Sequence, residues 1–238
     1  MRYLILFLFI SLSFQGFAQS TLRPMDQTIQ MRATQEYNER LYKASNKKML
    51  SKNPYEEIDG SAYFYEDPTI ARLLLVNDEI AEVNLLIDRY ADELVSVAED
   101  ETQRLLDPLF FKSIELEWKG ETRMLKKLNP DFPQRFYEVI IDGPSIILLR
   151  DIEVKHMETS LITEGRRENV SKFRRNDNFI LVQDAKVEKI SFKKKKFFKL
   201  FSDAQSNQLE KLAKDNGIKL KSDEDFIRLL SIYNQETP

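Results

Sequence analysis

The sequence predicts an α+β fold, in which an antiparallel, curved β-sheet or open barrel of roughly eight to ten strands is covered by C-terminal helices. Short aliphatic and aromatic segments follow one another between about residues 60 and 192, with turn residues between them. No helical period separates these segments, so neighbours along the chain are expected to pair antiparallel. Apolar residues spaced three and four apart then recur from residue 193 onward, which predicts helices.

Residues 1–18 are predicted to be a cleaved export signal. Arg2 gives a positive start, the apolar stretch from Tyr3 to Phe14 is too short to span a bilayer, and Gly16 and Ala18 suit a cleavage site. Cleavage is expected after Ala18, leaving a soluble periplasmic or secreted protein without a transmembrane segment. The alternative interpretations are a buried N-terminal helix and a retained anchor. Residues 19–59 are predicted to be a polar, partly helical segment that precedes a single domain at 60–238, and the part before Pro54 is expected to be peripheral.

Several strands are predicted in residues 60–192, the mainly β part of this domain. The clearest is Ile114 to Trp118, where apolar residues alternate strictly with Glu115 and Glu117. A hairpin is predicted around the turn at residues 142–145. The polar residues 157–177 are predicted to be a mobile loop. The predicted strand segments are 62–65, 71–76, 80–90, 94–97, 114–118, 124–125, 136–141, 146–154, 179–182 and 187–192.

Three helices are predicted in residues 193–238. The first is short, and the second is closed by Asn216 and Gly217, a typical C-terminal cap. The third is preceded by Ser222, three residues before Asp225, which is the spacing of an N-terminal cap. Their apolar stripes are Phe197, Leu200 and Phe201 in the first helix, Leu209, Leu212 and Ala213 in the second, and Phe226, Leu229, Leu230 and Tyr233 in the third.

Composition argues against several kinds of chemistry. Without cysteine there is no disulfide, thiol nucleophile, Cys-ligated metal or lipid anchor, and a single histidine, His156, gives no poly-His site. No glycine-rich phosphate loop is present, so nucleotide binding has no support. We predict no cofactor and no metal site. Ser145 lacks the following glycine of a nucleophile elbow. Glu115 and Glu117 are better explained by a solvated strand face than by a carboxylate pair. We therefore predict no catalytic residue.

The chain is unevenly charged along its length. Residues 166–199 contain twelve Lys and Arg but only four acids, whereas the whole chain carries −3 and, without residues 1–18, −4. This segment predicts binding of an anionic lipid, a glycan or an acidic protein, while nucleic acid is not expected for an exported, acidic chain. The alternative is that the lysines solubilise the junction or pair with acids elsewhere in the fold. The candidate binding residues are Lys193, Lys194, Lys195, Lys196, Lys199, Arg174 and Arg175.

Several local sequences resemble uncharacterised exported proteins of Gram-negative bacteria. The signal ends in Phe-Ala-Gln (17–19), and a Phe-Tyr-Glu-Val strand (136–139) leads into a hairpin. A strand with Val187, Lys189 and Ile190 runs into the lysine-rich segment 193–201, and the chain closes on Ser-Ile-Tyr-Asn (231–234). The resemblance covers residues 60–234 and implies no activity, so it transfers no catalytic residue.

Together these observations predict an exported, non-enzymatic protein that binds a partner or ligand. Two alternatives remain open at this point. One is a hydrolase whose carboxylates are brought together only by the fold. The other is an envelope structural or assembly component whose edge strands pair with other proteins.

Overall fold

A computed structural model describes residues 55–128, 133, 135–163, 166–184 and 186–236, and for residues 161–163 and 166–168 it describes the backbone only. The predicted export signal and residues 19–54 lie outside the described residues. Ten strands form one antiparallel sheet, and three helices follow it. The strands are β1 (Thr69–Leu75), β2 (Ile80–Asp88), β3 (Glu93–Val97), β4 (Gln103–Leu106), β5 (Phe111–Trp118), β6 (Glu121–Lys127), β7 (Phe136–Asp142), β8 (Ile147–Thr163), β9 (Arg166–Gln183) and β10 (Lys186–Ile190). The predicted α+β class is confirmed.

The strand order is β10-β9-β8-β7-β6-β5-β1-β2-β3-β4. Strands β1 to β4 form one meander, and β5 to β10 form a second that starts beside β1. Between the two meanders, a 3-10 turn at Pro108–Phe110 precedes β5, and the Asp107 side chain caps it by accepting a bond from the Leu109 amide at 3.0 Å. Since β4 and β10 are the edges of the described sheet, the sheet is not closed.

The prediction of a mobile loop at 157–177 is wrong. Strands β8 and β9 pair along almost their whole lengths, from Ile147 opposite Val182 to Thr163 opposite Arg166. Residues 158–160, at the far end of the hairpin, are exposed and do not pack against the core. This stretch therefore lacks an apolar period. A two-stranded ribbon satisfies its backbone groups across the pair, so polar residues can form it.

The segment Tyr55–Tyr65, here called the clasp, joins β9 to β2. At one end, the Asp59 amide donates to the carbonyl of Ser171 at 3.1 Å, and the Phe173 amide donates to the carbonyl of Asp59 at 2.8 Å. At the other end, the Phe64 amide donates to the Ile87 carbonyl at 2.8 Å. The strand predicted at 62–65 is reduced to an isolated antiparallel bridge between Tyr63 and Asp88 of β2. Five strands lie between β9 and β2 in the sheet order.

Two large apolar clusters and a small third one, formed by Tyr137, Leu149 and Ile180, make up the interior. The first joins the clasp residues Ala62 and Phe64 to inward residues of β1–β9, including Leu73, Ile114 and Phe173. The second joins the other end of β7–β10 to the helices. These helices are α1 (Lys194–Phe197), α2 (Asp203–Asp215) and α3 (Asp223–Glu236), with a 3-10 turn at Phe198–Leu200 after α1.

The predicted helical stripes are confirmed as the faces that pack on the sheet. Nine of the ten stripe residues are buried, and Leu200 is half-buried against the same cluster. The α3 cap is also present, because the Asp225 amide donates to Ser222 Oγ at 3.3 Å. Gly217 follows α2 with a φ of +65°, a left-handed conformation that suits its predicted place in a C-terminal cap.

Replacing Ser202 by alanine is expected to cost about 1 kcal/mol of stability. Ser202 Oγ accepts from the Gln205 amide at 3.4 Å, and Gln205 Oε1 accepts from the Ser202 amide at 3.0 Å, so one substitution removes half of a reciprocal cap on α2. Urea unfolding followed by circular dichroism measures the loss. Ser202→Asp keeps a side-chain acceptor and should remain close to wild type, and an equal loss in both variants would contradict the capping role.

Candidate functional site

The lysine run lies at the junction between the last strand of the sheet and the first helix. Lys193–Lys196 and Lys199 are all exposed, while Phe197 and Phe201 between and after them are buried in the second cluster. The two aromatic anchors fix the short helix on the sheet, so the intervening long side chains must extend into solvent. The local sequence therefore displays five ammonium groups around one rigid turn.

These lysines differ from the basic residues on the strands β5 to β8 that pair with acids. Within the described part of the chain, none of the five forms an ion pair. By contrast, Lys112 pairs with Asp78, and Lys155 pairs with Glu153. Pairing with distant acids, one of the alternative interpretations of the lysine run, is thus not found among the described residues. The lysines keep their charge available for a partner.

A groove opens between the α1 region and α2. Its lining combines three of the lysines with two aromatic rings and with polar residues of α2, and its volume is about 730 Å³. This volume lies within the range of small-molecule sites. The lining residues are Lys194, Lys195, Phe198, Lys199, Phe201, Asp203, Ser206 and Glu210.

The two candidate arginines are placed elsewhere, on β9. Arg175 is already engaged, since its Nε contacts Asp177 at 3.0 Å and one terminal nitrogen donates to the Phe64 carbonyl at 2.9 Å. It therefore holds the clasp to β9. Phe179, which pairs with the last residue of β10, is four positions away, about 13 Å of strand. Arg174 is exposed beside it. The structure thus brings Lys194, Lys195 and Lys199 together but does not place Arg175 with them.

A buried ion-pair cluster was missed by the sequence analysis. Arg89, at the end of β2, has a side chain only 1% exposed and lies 2.9 Å from Asp151 Oδ1. It also donates to the Ile152 carbonyl at 2.8 Å and the Phe136 carbonyl at 3.3 Å. Arg135 contacts the other oxygen of Asp151 at 2.8 Å. Burial lowers the pKa of Arg89, and it raises the pKa of the nearby Asp92.

A second missed cluster surrounds Glu138, whose side chain is fully buried on β7. Arg150 Nε donates to its carboxylate at 2.7 Å, a second nitrogen of Arg150 also contacts it, and Arg123 approaches at 3.4 Å. Arg150 also reaches Asp177 at 3.4 Å. In a sequence, charged residues that alternate with apolar ones along a strand are read as a solvent-exposed face. Neither buried ion-pair cluster could therefore be recognised from the sequence.

These buried acids are arranged as structural ion pairs. A hydrolase needs a carboxylate oxygen facing a substrate cleft, whereas Glu138 and Asp151 are each held by two arginines. Asp88 accepts from the Tyr55 hydroxyl at 2.6 Å and from two backbone amides. Burial and this hydrogen bond raise the pKa of Tyr55. The arrangement binds strands and clasp together, and both oxygens of each of these three acids have hydrogen-bond or ion-pair partners.

The remaining sequence candidates lie in ordinary structural positions. Glu115 pairs with Arg72 at 3.2 Å and Glu117 is exposed, so their strand face is solvated as predicted. Ser145 lies in the turn between β7 and β8. His156 is half-buried on β8, an internal strand, with its ring centroid 5.9 Å from that of Phe173 and 6.3 Å from that of Tyr90.

Comparisons of the chain with protein-family models, curated proteins and solved structures find no significant match. Among the described residues, no helix has the length and apolar character needed to cross a membrane. The same residues include no group of three or more His, Asp or Glu side chains placed to hold a metal ion. The lysine-lined groove is the candidate binding site.

Proposed function

We propose that this is an exported, non-enzymatic protein that binds the phosphate-bearing headgroups of a lipid surface through the groove between α1 and α2. The observation that carries the proposal is the exposed lysine run, which is unpaired among the described residues and stands on a rigid aromatic base. The amino-terminal apolar segment and the resemblance to exported proteins support the extracytoplasmic location.

The charge and the aromatic rings favour a lipid partner. Each lysine near an anionic membrane surface contributes about 1 kcal/mol, so five acting together suffice for reversible attachment. Phe198 is half-buried at the groove and sits between Lys194, Lys195 and Lys199, an arrangement of apolar ring and cations that suits a headgroup interface. A soluble acidic protein would use the lysines but has no need of the ring.

The shape of the sheet is also part of the proposed function. We take the sheet to be curved, because the clasp connects β9 and β2 within a few residues although a flat sheet would hold these strands about 29 Å apart. The contacts of Arg89 with β8 support the same shape. Such a scaffold, locked by buried ion pairs, would present the α1–α2 face without rearranging on binding.

Converting Lys193, Lys194, Lys195 and Lys196 together to glutamate is expected to abolish binding to anionic vesicles. The purified protein is mixed with vesicles of equimolar phosphatidylglycerol and phosphatidylcholine and sedimented. Wild type should sediment at low ionic strength and be released at about 0.5 M salt, where charges more than a few ångströms apart are screened. The four-fold variant should remain in solution at both salt concentrations.

The matched control converts Lys211, Lys214, Lys219 and Lys221, which are all exposed and lie outside the groove, to glutamate. It changes the net charge by the same amount and should retain most vesicle binding. Equal loss in both variants would show a nonspecific charge effect and overturn the proposed site. Absence of vesicle binding by wild type, together with binding to dextran sulfate or polyglutamate, would overturn the lipid proposal in favour of a glycan or an acidic protein.

A further inference from the structure

We infer that the groove selects a zwitterionic headgroup, in which a phosphate ester is linked to an amine, over a purely anionic one. This inference rests on the proposed function and names the ligand class of the same site. It comes from the two unlike walls of the groove, which belong to different elements.

The first wall is basic and comes from the α1 region. Lys194 and Lys195 come from α1, Phe198 and Lys199 come from the 3-10 turn that follows it, and all four line the groove. Phe198 lies half-buried among the three lysines. A phosphate at this wall would meet up to three ammonium groups, with an aromatic face beside them.

The second wall is acidic and comes from α2. Ser206 and Glu210 lie three and seven residues after Asp203, so the three residues share one face of that helix. Ser206 Oγ donates to the Phe198 carbonyl at 3.0 Å, which ties the two walls together and fixes their separation. The carboxylates of Asp203 and Glu210 thus border the same space as the lysines.

The opposite charges line the same groove without forming an ion pair with each other. Neither Asp203 nor Glu210 forms an ion pair within 4.0 Å with another residue of the described chain, and the groove lysines form none either. A ligand that carries both signs can satisfy both walls at once, whereas a simple anion meets attraction at one wall and repulsion at the other.

Binding of small phosphate esters tests this selectivity directly. Phosphoethanolamine, phosphocholine and glycerol 1-phosphate carry the same phosphate, and they are titrated into the wild-type protein while its amide resonances are followed. The two amine-bearing esters are expected to bind about three- to tenfold more tightly than glycerol 1-phosphate, the order of magnitude given by one or two partly exposed charge pairs.

The variant Asp203→Asn with Glu210→Gln should lose this preference and still bind glycerol 1-phosphate at least as well as wild type. Asp223→Asn with Glu224→Gln makes the same change in the first turn of α3 and should keep the preference. Equal binding of all three esters by wild type overturns the inference but leaves the proposed function standing. Vesicle binding with no binding of any ester also overturns it. Failure of both esters and vesicles contradicts the proposed function itself.

Discussion

Gly143→Ala is expected to destabilise the protein by about 3 kcal/mol, a large effect for adding one methyl group. A Cβ at this position would lie 1.3 Å from Nδ2 of Asn234 and 2.3 Å from its Cγ. Asn234 cannot simply turn away, because its Oδ1 accepts from the amides of Ser145 and Ile146, both at 3.1 Å. The new methyl group must therefore separate the β7–β8 turn from the last turn of α3.

Urea unfolding of the two glycine variants provides the measurement. Gly120→Ala is the matched control, since Gly120 also lies in a turn between strands, but a Cβ added there would meet no atom within 4 Å, and only its φ of +79° disfavours alanine. That strain alone costs about 1–2 kcal/mol. Adding Asn234→Ala to Gly143→Ala should recover part of the loss by removing the clash. Equal costs at the two glycines and no recovery would contradict the steric account.

Asp151→Ala is expected to cost about 3–5 kcal/mol, because it removes the closest carboxylate of the buried Arg89 guanidinium and leaves only a 3.5 Å contact with the half-exposed Asp92. Arg89 is 1% exposed and Asp151 only 5% exposed, so water cannot replace the lost partner. Arg135 loses a contact in the same step. The free energy of unfolding in urea, compared with that of wild type, checks this expectation.

Asp142→Ala serves as the control, because Asp142 pairs with Lys126 at the surface, where both side chains are about half exposed. Its removal should change stability by less than about 1 kcal/mol. The double variant Arg89→Met with Asp151→Leu removes both charges and should be more stable than Asp151→Ala alone. If the double variant were the less stable of the two, an unpaired buried charge would not be the cause.

The helices were predictable from the sequence because their signals are local. Phe226, Leu229 and Tyr233 recur at helical spacing, and Ser222 and Gly217 mark the ends of neighbouring helices within a few residues of each stripe. The hairpin of β7 and β8 was predictable for the same reason, since its turn residues lie between two apolar runs.

The sheet order and the clasp could not be predicted, because they depend on contacts between residues far apart in the chain. Nothing near β5 indicates that it pairs with β1, and nothing near Asp59 indicates that it pairs with β9. The ends of β8 and β9 were misread because polar strands that satisfy each other leave no apolar period.

Only the basic part of the candidate site could be predicted from the sequence. The lysine run is visible as a composition bias, but the acidic wall is contributed by Asp203 and Glu210 on another helix, and only the packing of α2 beside α1 brings them to the same groove. Arg175 has the right charge for the site, yet its carboxylate and carbonyl partners commit it to holding the clasp.

The clasp also determines when the protein can fold. A growing chain presents Asp59 long before Ser171 and Phe173, its partners on β9, which lie more than a hundred residues later. Until then the first cluster lacks Phe173, and the Asp59 amide lacks its carbonyl partner on β9. The N-terminal meander can pair early, but the cooperative core closes only when most of the chain has been synthesised. For a chain exported unfolded, in line with the function we propose, this late closure would keep it competent for translocation.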